Sequence, residues 1–186
     1  MTLHIDQLRN IMPGADERAA LLFLEPLNAA MARFEIDTLP RAAAFLAQVA
    51  HESGQLRYVS EIASGKAYDK RADLGNTAPA AISAATRAGT TPGPFYKGHG
   101  LIQITGYFNH RDCGKDLGLD LVDSPKLLCE PGPAALSAGW FWSTRDLNWL
   151  ADRKDFVGIT QKINGGTNGL KSRVGFYVMA QKCLSQ

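Results

Sequence analysis

Two glutamates nine residues apart, Glu52 and Glu61, lie either side of a change of texture in this chain of 186 residues. Glu52 follows the apolar stretch Phe45–Ala50, whose Phe45, Leu46, Val49 and Ala50 recur on one helical face; Gly54 marks the helix end. Glu61 falls in the looser segment beyond. A glycosidic bond needs one carboxylic acid to protonate the leaving oxygen and a second carboxylate to activate water or attack the sugar. Glu52, part-desolvated behind an apolar stretch, suits the acid; Glu61, open to water, suits the base. By themselves two glutamates at this spacing mean little, and each is more often a surface charge.

Competing chemistries are weaker. His51-Glu52 begins an H-E-x-x-H zinc pattern, but position 55 is Gln. The four histidines (His4, His51, His99, His110) show no metal-ligand spacing, so neither a metal nor a cofactor is expected. There is no G-x-S-x-G nucleophile elbow, and Cys113, Cys129 and Cys183 fall in no recognisable nucleophile or disulfide pattern. The stretch Tyr96–Gly106 carries Gln103 and Thr105 at strand-like spacing, which in an extended segment puts both on one side. Its glycines let backbone approach a ligand closely; a plain tight turn is the competing reading. Asn164-Gly165-Gly166 is a strong turn signal.

The elements that must position these residues read as mostly helical. Helices are predicted from Asp6 to Met12, from Glu17 to Leu24 behind an Asp16 cap, and from Leu27 to Phe34, with Pro26 forcing a break or kink between them. Thr38 caps the helix that leads to Glu52. Ala78–Pro94, rich in Ala, Thr, Gly and Pro, reads as a solvated loop or a lid beside a cleft. Pro133–Thr144, Asp152–Ile163 and Leu170–Leu184 read as further helices, with Trp140, Phe141, Trp142 and Trp149 as packing residues.

Bulk properties fit one domain spanning residues 1–186. Hydrophobic residues make up 45% and charged residues 20%, and the formal net charge of +2 is too small to point to nucleic acid. No run approaches the roughly 18 apolar residues of a membrane span, so no membrane insertion is expected. The first residues, Met1–Asp6, show no signal-peptide pattern. Synthesis in the cytoplasm is therefore expected, and any extracellular target must be reached by another route.

Taken together, Phe45–Gly54, Glu61, Ala67-Tyr68, Asp73–Asn76, Gln103–Gly106, Asn109, Asn164–Gly166 and Arg173–Tyr177 occur in an order that resembles the glycoside hydrolase family 19 chitinases, especially the phage endolysins built on that catalytic domain. The resemblance implies a mainly α, lysozyme-like, two-lobed helical domain with a central substrate cleft. It implies an inverting mechanism with Glu52 as acid, Glu61 as base and Thr105 holding the attacking water, the carboxyl groups standing roughly 6.5–9.5 Å apart. Gln103, Asn109, Asn164 and Arg173 fall on positions of the substrate cleft or its charge network, and His51, Tyr68 and Tyr96 are expected to join them as substrate contacts. Three positions depart from the family pattern: His99 stands where Arg is usual, Ile62 where Asn often follows the second glutamate, and Pro92-Gly93-Pro94 where a Gly-Asp-Gly-like turn is common.

The leading expectation is a monomeric endolysin that hydrolyses the β-1,4 bonds of peptidoglycan glycan strands. A chitinase acting on N-acetylglucosamine oligomers is the nearest alternative. A lytic transglycosylase needs only one glutamate, and an inactive carbohydrate-binding protein needs neither.

Overall fold

The computed structural model describes residues 1–185. It begins with α1 (Ile5–Ile11) and α2 (Glu17–Arg33), where the Asp16 side chain accepts from the Ala19 amide at 3.0 Å. The predicted break at Pro26 does not occur: α2 runs through it. The carbonyl deprived of a donor there belongs to Leu22, on an exposed side of the helix where water can replace the lost bond.

The central element is α3 (Leu39–Glu52). Thr38 stands at its N-cap and Pro40 in its first turn, where the missing amide removes no helical bond. All nine residues from Ala42 to Ala50 are buried, Gln48 included. A helix closed to solvent on every side must sit inside the molecule, and five alanines in that run let its neighbours approach closely. α10 (Leu170–Leu184) packs along α3, with α1 and α8 (Leu147–Asp152) beside it; α7 (Pro131–Ser143) lies against α2. Phe45 and Trp142 meet edge to face at 5.5 Å in this core.

Past Ser53 the chain reverses through one left-handed turn, with φ of 57° at Gly54, 62° at Gln55 and 66° at Leu56. Left-handed backbone at two residues that carry a Cβ is costly, and several bonds hold it. The Ser53 hydroxyl donates to the Val49 carbonyl at 2.7 Å and accepts from the Leu56 amide at 2.8 Å. The Gln55 side chain accepts from the Gly14 amide at 2.6 Å. The reversal leads into a minimal antiparallel arrangement in which Ser60 bridges His99 and His99 bridges Ile104.

A second lobe is built around this arrangement from α4 (Pro79–Arg87), α5 (Pro92–Phe95) and α6 (Tyr107–Leu117). Its own core joins Ala81 and Ala84 to Tyr96 and Tyr107, while Ile104, Cys113, Leu121, Leu128 and Trp140 connect α6 to α7. The two-lobed, mainly helical architecture expected from the sequence is therefore present. Ala78–Pro94 is not a loop: Pro79 sits in the first turn of an alanine-rich helix, and Gly89 (φ 71°) follows its end. The predicted helix Asp152–Ile163 is interrupted; α8 ends at Asp152, Lys154 takes φ 59°, and the Asp155 side chain caps α9 (Phe156–Asn164) by accepting from the Gly158 amide. Trp149 does not join the core. The short α8 buries Leu147, Leu150 and Ala151, which leaves the indole 55% exposed with the Arg153 guanidinium over its ring. The three cysteines are free thiols.

Candidate active site

Glu52 is the last residue of α3, at the helix end where the summed peptide dipoles are negative and a carboxylate is disfavoured. A cation answers this: Arg173 Nη2 on α10 stands 2.6 Å from Glu52 Oε1. The oxygen is buried and the contact lacks hydrogen-bond alignment, so charge rather than a directed bond joins them. Arg173 is itself only 2% exposed. Its other groups are occupied: Nη1 donates to Gln48 Oε1, and Nε donates to the Asn168 carbonyl at 3.2 Å. Gln48 in turn donates to the Thr160 hydroxyl of α9 at 3.0 Å. Asn164 donates to the same Asn168 carbonyl at 2.9 Å, closing the Asn-Gly-Gly turn beneath Arg173. His51 Nδ1 meets the Ser172 hydroxyl at 3.2 Å, and burial followed by the Arg173 charge pushes its imidazole below the usual range.

Glu61 is held by a different chemistry. Its Oε2 accepts from the Gly98 amide at 3.0 Å and its Oε1 from the Tyr68 hydroxyl at 3.0 Å. Burial, and then the bond to Glu61, raise the Tyr68 phenol above its ordinary range. The Glu61 backbone is fixed as well: its amide donates to the Gly98 carbonyl, and Lys97 Nζ donates to its carbonyl at 2.7 Å. Asn76, fully buried, donates to the Tyr68 carbonyl and accepts from the Tyr107 amide, so the Tyr68 segment is tied to α6.

Gln103 and Thr105 both crowd Gly98, where an added Cβ would stand 2.7 Å from Gln103 Oε1 and 3.3 Å from Thr105 Oγ1. The segment is not an ordinary strand, since Gln103 takes φ 57°. The shared side nevertheless holds: the Thr105 hydroxyl donates to the Gln103 carbonyl at 2.9 Å, Gln103 Nε2 to the Gly100 carbonyl, and Asn109 Nδ2 to the Thr105 carbonyl.

Two clusters result. One joins Glu52, Arg173, His51 and Asn164 on the larger lobe; the other joins Glu61, Tyr68, Gln103, Thr105 and Asn109 on the smaller. Tyr96 belongs to neither. It is completely buried between Phe95, Tyr107 and His110 and its hydroxyl donates to the Val122 carbonyl at 2.6 Å, so it packs the lobe and contacts no substrate. His99, in the place where an arginine was the family expectation, is buried and makes a neutral contact to His110. Gln48, Thr160, Asn168 and Lys97 escape a reading of site residues from sequence. Only Gln48 leaves a signal there: a polar residue one helical turn before Glu52 in an otherwise apolar run.

One carboxylate paired with a buried cation and a second held by uncharged donors near a threonine hydroxyl supply the two carboxyl groups that glycoside hydrolysis requires. Comparisons with known proteins bear on the family and the fold. The chain is 38% identical over 143 residues to an endochitinase of Arabidopsis thaliana, covering 73% of this chain and 45% of the relative. It is 30% identical over 168 residues to endochitinase A of Zea mays, covering 83% of this chain and 55% of the relative. The chain thus spans about half the length of the curated relatives it matches. Among solved structures, chitinase C of Streptomyces griseus has the same fold, with a TM-score of 0.77 at 22% identity over 98% of this chain and 92% of that one. A bacterial family 19 chitinase superimposes with a TM-score of 0.78 at 23% identity, covering 99% and 95%. The family model described as class I chitinase matches residues 34–159, a span that takes in Glu52, Glu61 and Thr105, and the chain belongs to this family, glycoside hydrolase family 19.

Proposed function

We propose that the protein hydrolyses β-1,4 bonds between N-acetylated amino sugars by a single inverting displacement. Glu52 protonates the leaving oxygen. Glu61 takes a proton from water as that water attacks the opposite face of the sugar, and Thr105, whose side chain crowds Gly98 together with Gln103, helps hold the water. The observation that carries this reading is that the fold holds two carboxylates in place, Glu52 on Arg173 and Glu61 on the Gly98 amide and Tyr68 hydroxyl, with the Thr105 side chain approaching the same Gly98. Tyr68, Gln103, Asn109, His51 and Asn164 line or support the sugar path.

Chitin-type chains of N-acetylglucosamine are the first substrate reading, because the named relatives are endochitinases. Peptidoglycan strands, cut by an endolysin, are the second. One observation favours them: Lys66 and Lys70 are exposed on either side of Tyr68, where the carboxylates of a peptide-bearing strand would find cations and a neutral chitin chain would not. Purified peptidoglycan and chitin oligomers, digested separately and analysed by mass spectrometry, separate the two. Reducing N-acetylglucosamine ends from chitin alone support the first, and reducing muramic acid ends support the second. Anhydro ends or no products would overturn hydrolysis itself.

A further inference from the structure

We propose that the buried pair His99–His110 is the positioning device of the base: a one-way hydrogen-bond relay that keeps the Gly98 amide on Glu61 and Thr105 beside it. The inference rests on the reading of Glu61 as base.

His99 lies at the centre of the bridged segments, paired on one side with Ser60 and on the other with Ile104. Its own amide donates to the Ile104 carbonyl at 3.0 Å and its carbonyl accepts from the Ile104 amide at 2.7 Å. His110 stands one turn into α6, four residues past Gly106. The two imidazoles meet edge to face, His99 Nδ1 lying 3.1 Å from His110 Nε2, and both side chains are closed to solvent. His110 Nδ1 lies 2.8 Å from the Gly106 carbonyl.

The direction of every bond follows from the chemistry of the last atom. A carbonyl oxygen only accepts, so His110 Nδ1 carries a hydrogen. Burial keeps both rings neutral, lowering His110 to about 4 and His99 to about 3. A neutral ring carries one hydrogen, so His110 Nε2 is bare and accepts, and the hydrogen between the rings belongs to His99 Nδ1. The relay therefore runs from His99 through His110 to Gly106 and cannot run the other way.

Its two ends sit beside the groups that surround Glu61. Gly98, whose amide donates to Glu61 Oε2, precedes His99, and Thr105 precedes Gly106. Two buried polar rings cost desolvation that an apolar pair of the same volume would avoid. What they add is a fixed distance between the bridged segment carrying Gly98 and Gly106, the residue that follows Thr105 and caps α6.

The test uses His110→Phe, which keeps a ring in place but removes both bonds, and His110→Gln, whose side-chain oxygen can accept from His99. In the wild type, ring-nitrogen NMR shifts at neutral pH should show both residues as Nδ1–H tautomers. His110→Phe should move the Gly98 amide resonance in the manner of Glu61→Gln, and should lower kcat about 10- to 100-fold while KM stays within about threefold. His110→Gln should recover most of the loss. An Nε2–H tautomer at His110 would overturn the proposal, as would a Gly98 amide that stays put or a kcat that is unchanged, both of which would leave the pair a stabilising element only. Should the wild-type protein cut neither polymer, the functional reading fails, whereas the ring tautomers and the Gly98 resonance still decide the relay.

Discussion

At the scale of single residues, Arg173 and Gly98 carry most of what can be tested. Arg173 is a buried cation whose one carboxylate contact among the described residues is Glu52. Arg173→Leu removes that charge, strands Gln48 Oε1 and leaves a carboxylate at a helix C-terminus without a counter-charge. Loss of one partner of a buried pair costs on the order of 3–5 kcal/mol; because the Glu52 side chain is 20% exposed, a loss nearer 2–3 kcal/mol is expected in urea unfolding, together with most of the activity. A change below about 0.5 kcal/mol would show that Arg173 does not bear on α3. Gly98→Ala tests the other cluster. Its backbone tolerates alanine, but the added methyl would press on Gln103 and Thr105, so kcat should fall about tenfold or more with the melting temperature little changed. Wild-type kinetics in this variant would remove Thr105 and Gln103 from the water site.

At the scale of elements, the two catalytic candidates are joined by the left-handed turn after α3. Gly54→Ala places a Cβ 2.9 Å from the Tyr58 ring at a φ of 57°. The expected cost is about 1–2 kcal/mol, with a disproportionate drop in kcat because the turn aims the chain toward Glu61. A stability loss with kcat intact would mean that the pairing of Glu61 with Gly98 sets the base without help from the turn. Gly54 was legible in sequence as a helix end, but left-handed Gln55 and Leu56 were not. Their conformation comes from the Ser53 hydroxyl and the distant Gly14 amide, which no local pattern reveals. The same holds for Pro26 and for Ala78–Pro94. In the first, tertiary packing carried a helix through a proline whose orphaned carbonyl faces water; in the second, alanine propensity outweighed the glycines and prolines, which proved to be punctuation. The ends of α3 and α10, by contrast, fall within a residue or two of those read from the sequence.

For the whole molecule, two lobes each with a core were implied by the ordered set of motifs, whereas the internal ties were not. Gln48 with Thr160, and His99 with His110, join residues 112 and 11 positions apart, and pairing of this kind is invisible to periodicity. The histidine pair also makes a prediction about stability and pH. In the unfolded chain both histidines bind protons near 6.5, while in the folded protein they do so only at about 4 and about 3. Between these values the unfolded state takes up protons that the folded state refuses. The pair's contribution is thus full above about pH 6.5 and declines as the pH falls toward 4. Lys97 and Lys126 push His99 in the same direction. Melting temperatures from pH 7 to 4.5 should fall more steeply for the wild type than for His110→Phe; parallel curves would show that the pair is already charged in the folded state.

The central claim, that Glu52 and Glu61 cut a β-1,4 bond with inversion, meets its most direct test in the anomer first released. Proton NMR should follow a fresh digest of a chitin hexamer, run alongside Glu52→Gln and Glu61→Gln. The initial product should be the α-anomer, and each glutamine variant should lose on the order of a thousandfold or more in kcat, the combined effect of a lost proton transfer and a misheld water. A β-anomer appearing first, or near-normal turnover in Glu61→Gln, would contradict the account.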